Sequence, residues 1–199
     1  MILVFDIETT GLPKKPNASA EDLDNWPRIS QLSYNLYDLE GNLQRKINQL
    51  IKPQGWTFPD EEFFRKHADI NKNIEFGISI EQALEEFIET RHQALFLVAH
   101  NLYFDSMIMR SEYFRAGVKP EFTQKKFCTM LKSTKYCNLP PTEKMIKAGM
   151  NKAKSPNLTE LHNKLFGCSF DSAHDAAGDV EACAKCFFEL LRLKVISLD

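Results

Sequence analysis

The stretch Met1-Ile2-Leu3-Val4-Phe5-Asp6-Ile7-Glu8-Thr9-Thr10-Gly11-Leu12 decides how the chain is read. Its first five residues form a continuous apolar run, the pattern of a central strand covered on both faces. Asp6 and Glu8 then stand two apart, so on a strand both side chains leave the same face, a few ångströms from each other. Like charges so placed repel. The repulsion is removed by protonating one group or by placing a divalent cation between them, and Mg²⁺ or Mn²⁺ prefers carboxylate oxygens. A plainer reading also exists: a strand end emerging into solvent with both acids hydrated. The position at the end of a buried strand, directly before the Thr9-Thr10-Gly11-Leu12 turn, favours the cation, because such a turn offers backbone N–H groups to an anion.

Two further segments carry acids into apolar surroundings. Leu95 to Ala99 reads as another buried strand, and Asn101 as the cap of the helix after it. Asp105 falls in the first turn of that helix, three and four residues before Ile108 and Met109, so its carboxylate faces the core; an acid stabilising the helix dipole from the surface is the alternative. His100 needs no role beyond that of a hydrogen-bonded core histidine, and Phe104 reads more simply as core than as a stacking platform. Asp179 stands on the inward stripe of the last helix with Cys183, Cys186 and Leu190. An unpaired carboxylate there costs several kcal/mol or takes up a proton. His174, near the start of the same helix, can swing over that site, and an imidazole with a pKa of about 6.5 accepts a proton from water at neutral pH. A solvent histidine at a helix start is its plainer reading.

The rest of the chain supplies the frame. Pro13 to Pro27 is a polar, proline-bounded insertion, read as a surface loop with a helical turn. Ile29 to Leu39 and Leu43 to Ile51 are two strands joined by the Leu39-Glu40-Gly41-Asn42 turn. Asp60-Glu61-Glu62 opens a short helix, and Ser79 with Gln82 forms a capping-box pattern ahead of another. A strand near Phe127 to Leu131 follows the Asp105 helix, which ends near Gly117. Lys132 to Pro156 then reads as a long loop or partly helical excursion, and Leu158 to Phe166 and Ala173 to Leu193 as closing helices. No repeat or internal boundary divides the chain, so residues 1–199 are taken as one domain.

At 199 residues, 43% hydrophobic and 26% charged, the composition is that of a water-soluble globular protein, and no apolar run is long enough to span a membrane. Met1 to Phe5 is too short for a signal-peptide core. Five cysteines without a framework spacing suit a reducing compartment, so the cytoplasm is the expected location. Cys183 and Cys186 form C-x₂-C on a helix with no second pair, a pattern of buried thiols rather than zinc. A net charge of −2 excludes wrapping nucleic acid by charge alone, but not gripping one strand end. Lys125, Lys126, Lys132, Lys135, Lys144, Lys147, Lys152 and Lys154 lie in an acid-poor stretch suited to phosphates, or equally to solvent.

Together, FDIETTGL, AHNLYFD and HDAAGD occur in the order and form of the three motifs of the DEDDh (DnaQ-like) 3′–5′ exonuclease family, which the chain resembles from Met1 to about Leu191. That branch includes polymerase proofreading subunits and TREX-type enzymes. The resemblance implies an α/β, RNase H-like fold with a five-stranded mixed sheet flanked by helices. It implies that Asp6, Glu8, Asp105 and Asp179 hold two ions, Mg²⁺ or Mn²⁺, about 3.5–4 Å apart, with His174 as general base. It further places Thr9 and its neighbours on the terminal sugar and Leu12 against the last base. Ile7, Thr9, Thr10, Gly11, Leu12, His100, Asn101 and Phe104 are thus the candidate substrate contacts. The expected partner is nucleic acid with a free 3′ end, single-stranded DNA first, with no membrane partner; a polymerase or a second copy of the chain is left open. An exoribonuclease resembling RNase T and a non-catalytic binding module are the alternatives. The residues 13–27 and 132–156 depart from the smallest family members.

Overall fold

A computed structural model describes residues 1–62, 70–119, 121–170 and 175–198, and the structural statements below concern these. The strands are β1 (Ile2–Thr9), β2 (Ile29–Tyr37), β3 (Leu43–Leu50), β4 (Phe96–Ala99) and β5 (Lys125–Cys128). They form one sheet in the order β3-β2-β1-β4-β5. β2 pairs antiparallel with β1 and β3, while β4 runs parallel to β1 and β5. The sheet is therefore mixed and five-stranded, with the apolar N-terminal run at its centre.

Alternation along β1 divides the core into two layers. Leu3, Phe5 and Ile7 pack with α2 (Ile80–Arg91) and α3 (Leu102–Arg115) on one face. Ile2 and Val4 pack with α6 (Leu158–Phe166) and α7 (Ala176–Arg192) on the other. Three further helices among the described residues, α1 (Ile70–Phe76), α4 (Thr129–Cys137) and α5 (Glu143–Lys147), join these parts. No helix among the described residues is long and apolar enough to cross a membrane.

Local signals held where the chain satisfies its own backbone groups. Ser79 and Gln82 form the expected capping box at the start of α2, with bonds of 3.2 and 3.3 Å. The hairpin turn begins one residue before the expected one, because the Asp38 carboxylate accepts from the Asn42 backbone and side-chain N–H groups, each at 2.8 Å. The strand expected over Phe127 to Leu131 ends instead at Cys128, opposite Ala99, where β4 itself ends; without a partner to extend the ladder, Thr129 to Leu131 turn into α4. The 132–156 excursion is partly helical, through the rest of α4 and through α5. Glu62 is helical, and the continuation over 63–69 lies outside the described residues.

The insertion is less loop-like than its composition suggests. Ala20, Asn25 and Trp26 are buried. The Asn25 amide accepts from the Lys15 N–H at 2.7 Å and donates to its carbonyl at 3.1 Å, and the Trp26 indole donates to Ser19 O at 2.8 Å. Arg115, in the last turn of α3, donates to the Leu23 and Trp26 carbonyls at 2.6 and 2.7 Å. A tryptophan and an arginine fix a segment that has no periodicity to announce it.

Candidate active site

β1 reaches further than its parallel neighbour. Its ladder with β4 covers only Ile2 to Val4, whereas its ladder with β2 continues to Thr9, so the half of β1 carrying Asp6 and Glu8 projects past the end of β4. The chain leaving β4 turns at once into α3, whose first turn brings Asp105 beside the projecting strand. Across the other layer, the start of α7 supplies Asp179. The acids thus gather at the carboxyl ends of the parallel strands, where open α/β sheets characteristically bind ligands.

Ligand oxygens of Asp6, Glu8 and Asp179 all lie within 4.8 Å of one another. Asp105 is 3% exposed, and its charge acts on Asp6. Burial, reinforced by the charges of Asp105, Asp179, Glu8 and Asp175, holds Asp6 well above the usual carboxylate range. Burial, then Asp179 and Asp175, raises Glu8 to about 7. Asp105 is also raised well above its ordinary value, by burial first and by the Glu8 charge, although backbone N–H groups of Asp105 and Ile7 offset part of it. Among the described residues no lysine or arginine is bonded to Asp6, Glu8 or Asp105. A crowded set of hard oxygen donors is the donor set that Mg²⁺ or Mn²⁺ takes.

Beside the acids lies a cleft of about 570 Å³, lined by Ile7, Glu8, Thr9, Thr10, Gly11, Leu12, Glu61 and Phe104. Leu12 stands 83% exposed at this cleft. The turn is self-braced: Thr9 Oγ1 donates to Gly11 O at 2.8 Å, and Gly11 adopts φ +151, a conformation that side chains resist. The Thr10 N–H is spent on Arg28 O at 2.9 Å, so it is not among the N–H groups the turn could offer an anion. A second hollow of about 500 Å³, between the β2–β3 hairpin and α7, holds none of Asp6, Glu8, Asp105 or Asp179.

Two of the eight candidate contacts do not line the cleft. His100 has both ring nitrogens engaged, Nδ1 with Thr129 Oγ1 at 2.9 Å and Nε2 with Pro156 O at 3.1 Å. A carbonyl only accepts, so Nε2 carries the proton and Nδ1 accepts from the Thr129 hydroxyl. Burial lowers the pKa of His100 to about 4, which keeps the ring neutral. It therefore has the bonding of a core histidine that ties β4 to the 132–156 excursion. Asn101 occupies the N-cap position of α3 in the left-handed region (φ 69), and its side chain makes no capping bond. That corrects the expected cap: asparagine is used here for its tolerance of positive φ as the chain reverses out of β4.

Asp175 and Glu61 are additions that the sequence did not single out. Asp175 precedes α7, accepts from Gln31 Nε2 at 2.8 Å and adds its charge to the cluster. Its signal was present, since it adjoins His174, but an exposed helix-start acid has many uses. Glu61 lines the cleft from a segment distant in sequence, and no spacing connects it with the acids. His174 itself lies outside the described residues. Cys183 and Cys186 are buried free thiols, as their helical spacing implies.

Several of the lysines are already occupied. Lys125, Lys126 and Lys132 lie over the rings of Phe96, Phe122 and Phe127 at 5.9, 5.4 and 6.0 Å, and Lys154 is paired with Glu160 at 2.5 Å. Lys135, Lys144, Lys147 and Lys152 are exposed.

No family model and no curated protein matches the chain. Solved structures do. The nuclease domain of 3′hExo, a DEDDh family member bound to rAMP, matches with a TM-score of 0.66 at 14% identity, over 96% of this chain and 91% of that one. A 3′-exonuclease engaged in 3′-end-specific recognition of a histone mRNA stem-loop matches at 0.70 and 14%, over 96% and 81%. E. coli exonuclease I in complex with a dT13 oligonucleotide matches at 0.70 and 17%, over 96% of this chain but only 40% of its own. The fold is therefore the RNase H-like exonuclease fold, and the chain spans about two-fifths of the length of exonuclease I.

Proposed function

We propose that the chain is a metal-dependent 3′–5′ exonuclease that hydrolyses terminal phosphodiesters of DNA, with single strands preferred, and releases 5′-nucleotides. The observation that carries this reading is the cluster of Asp6, Glu8 and Asp179 oxygens within 4.8 Å, joined by Asp105, at the strand ends of an exonuclease fold. A protein that only bound nucleic acid would gain nothing from crowding these acids.

Asp6, Glu8, Asp105 and Asp179 would hold two divalent cations, Mg²⁺ or Mn²⁺. Bound there, the ions would supply Lewis-acid stabilisation of the charge that develops on the reacting phosphate. The remaining work falls to the chain. Neutralising the cluster lets carboxyls that now favour protonation ionise together. The Thr9–Gly11 turn, held by its internal bond and by Arg28, receives the terminal sugar, and Leu12 rests against the last base. His174 takes the proton of the attacking water. The short Thr9–Leu12 turn beside the acids admits a terminus with a free 3′-OH, and a paired end must first fray, at about 1.4 kcal/mol per stacked step.

RNA is the second reading, favoured by one observation: the relatives matched over most of their own length were solved with an RNA stem-loop and with rAMP. End-labelled single-stranded DNA, duplex DNA and RNA, each incubated with Mg²⁺, Mn²⁺ or EDTA, separate the possibilities. A single-nucleotide ladder from single-stranded DNA, absent in EDTA and blocked by a 3′-phosphate, is the expected result. Faster shortening of RNA would reassign the substrate. Cleavage of a circular single strand, or activity retained in EDTA, would overturn the reading.

A further inference from the structure

Arg28 lies outside the acid cluster and outside the cleft lining, yet three walls of the cleft converge on it. Its backbone exchanges two hydrogen bonds with Thr10: Arg28 N–H donates to Thr10 Oγ1 at 2.9 Å, and Thr10 N–H donates to Arg28 O at 2.9 Å. Its guanidinium lies 5.6 Å from the centre of the Trp56 ring, and Trp56 packs edge-on against Phe58 in the segment that leads to the cleft residue Glu61. Its Nε donates to Glu112 Oε1 at 2.8 Å. Glu112 is fully buried on α3, the helix that carries Phe104 and Asp105, and the same oxygen accepts from Arg115 Nη1 at 2.9 Å. Arg115 in turn holds the 13–27 insertion through the carbonyls of Leu23 and Trp26.

Resting on the function proposed above, we infer that Arg28, set in place by Glu112, is a positioning residue that fixes the width of the cleft receiving the strand terminus. The physical reason is rigidity. A guanidinium held by a buried carboxylate on one side and an aromatic ring on another has one orientation, and its neighbours inherit that orientation. A loosened hub would leave the acids able to bind metal but the terminus poorly seated.

The test compares Arg28→Met, Arg28→Lys and Glu112→Gln with the unaltered protein at a temperature where all remain folded. The expected result is a rise in KM of about tenfold for a single strand in the methionine and glutamine variants, with kcat changed less than about threefold. Anisotropy of a fluorescent single strand in EDTA should show the same loss of affinity, and the Mn²⁺-induced rise in melting temperature should be retained. Arg28→Lys, which keeps the charge but not the fork, should recover only part of the loss. Unchanged KM and strand affinity in all three folded variants would overturn the inference while leaving the nuclease reading standing; loss of the Mn²⁺ shift would also overturn it, by placing the effect on the acids. Failure of the unaltered protein to shorten any strand would instead remove the nuclease reading itself.

Discussion

Asp105 and Glu112 stand two turns apart on α3, are 3% and 0% exposed, and have opposite surroundings. Glu112 is answered by Arg28 at 2.8 Å, Arg115 at 2.9 Å and the Ile29 N–H at 3.3 Å. Asp105 faces other carboxylates, and burial with the Glu8 charge drives its pKa upward. One helix therefore buries one acid with its cations built in and another among like charges. The first has its counter-charges in the fold, all three bonds falling on Oε1 while the buried Oε2 has no hydrogen-bond partner among the described residues; the second keeps its carboxyls protonated unless a positive charge offsets them. That difference, more than the presence of acids, is what supports the metal-binding role proposed for the strand-end cluster.

The strongest test of the contrast removes a carboxylate from each region. Asp6→Asn or Asp179→Ala should lower nucleotide release at least about a thousandfold, equivalent to about 4 kcal/mol of barrier. Asp6→Asn should at the same time stabilise the metal-free protein at pH 8, because it removes a charge that the fold disfavours. Glu112→Ala should do the reverse to stability, costing about 3–5 kcal/mol by stranding two arginines. Millimolar Mn²⁺ should raise the melting temperature of the unaltered protein and of Glu112→Gln, since a ligand bound only by the folded state stabilises it, by about 2.7 kcal/mol at a hundred times Kd. Nucleotide release from an end-labelled strand checks the first effect, and denaturation curves with and without Mn²⁺ check the others. Equal destabilisation by Asp6→Asn and Glu112→Ala would erase the distinction between the regions.

A smaller effect lies in pH. Glu8 has its pKa raised from 4.5 to about 7, so it binds its proton more tightly folded than unfolded. Its contribution to metal-free stability is present below pH 4.5 and is lost as pH rises through about 7, by an amount of the order of 2 kcal/mol given its partial exposure. His100 works in the opposite sense. Its pKa falls from 6.5 to about 4, so its contribution is present above pH 6.5 and is lost as pH drops towards 4, roughly 2 kcal/mol of it by pH 5. The difference in stability between the unaltered protein and Glu8→Gln, followed across pH in EDTA, should slope through the first window and flatten when Mn²⁺ is added. A flat difference in EDTA would show that Glu8 is not perturbed by its neighbours.

The smallest expected effect concerns charges that are neither buried nor paired. Replacing Lys144, Lys147 and Lys152 with glutamine should weaken strand binding a few-fold and reduce the salt slope by about 2, near 0.7 per phosphate contact, with kcat spared. An unaltered salt slope would assign these lysines to solvent.

How much of this could be read from residues alone differs by element. The central β1, the hairpin, the α2 capping box and the helical stripe of Asp179 follow from local rules, since an apolar run, a turn residue or a 3.6-residue period acts within a few neighbours. The end of β5 did not, because strand length there is set by where β4 stops, a property of the partner strand. Asn101 misled for a related reason: asparagine serves both as a helix cap and as a positive-φ residue, and the sharp reversal out of β4 chose the second use.

The sequence by itself determined that Asp6 and Glu8 share a face, that Asp105 and Asp179 point inward from their helices, and that the Thr9–Leu12 turn adjoins the first pair. Those are matters of backbone period. Only the tertiary structure decided that the acids converge, because β1 projects past β4 and the two helices close on the gap from opposite layers. It alone joined Arg28 to Glu112 and Trp56, and Glu61 to the cleft. Such contacts link residues 28 to 84 positions apart or lie between segments with no shared period, and distance in the chain carries no signal of nearness in space until the core has packed.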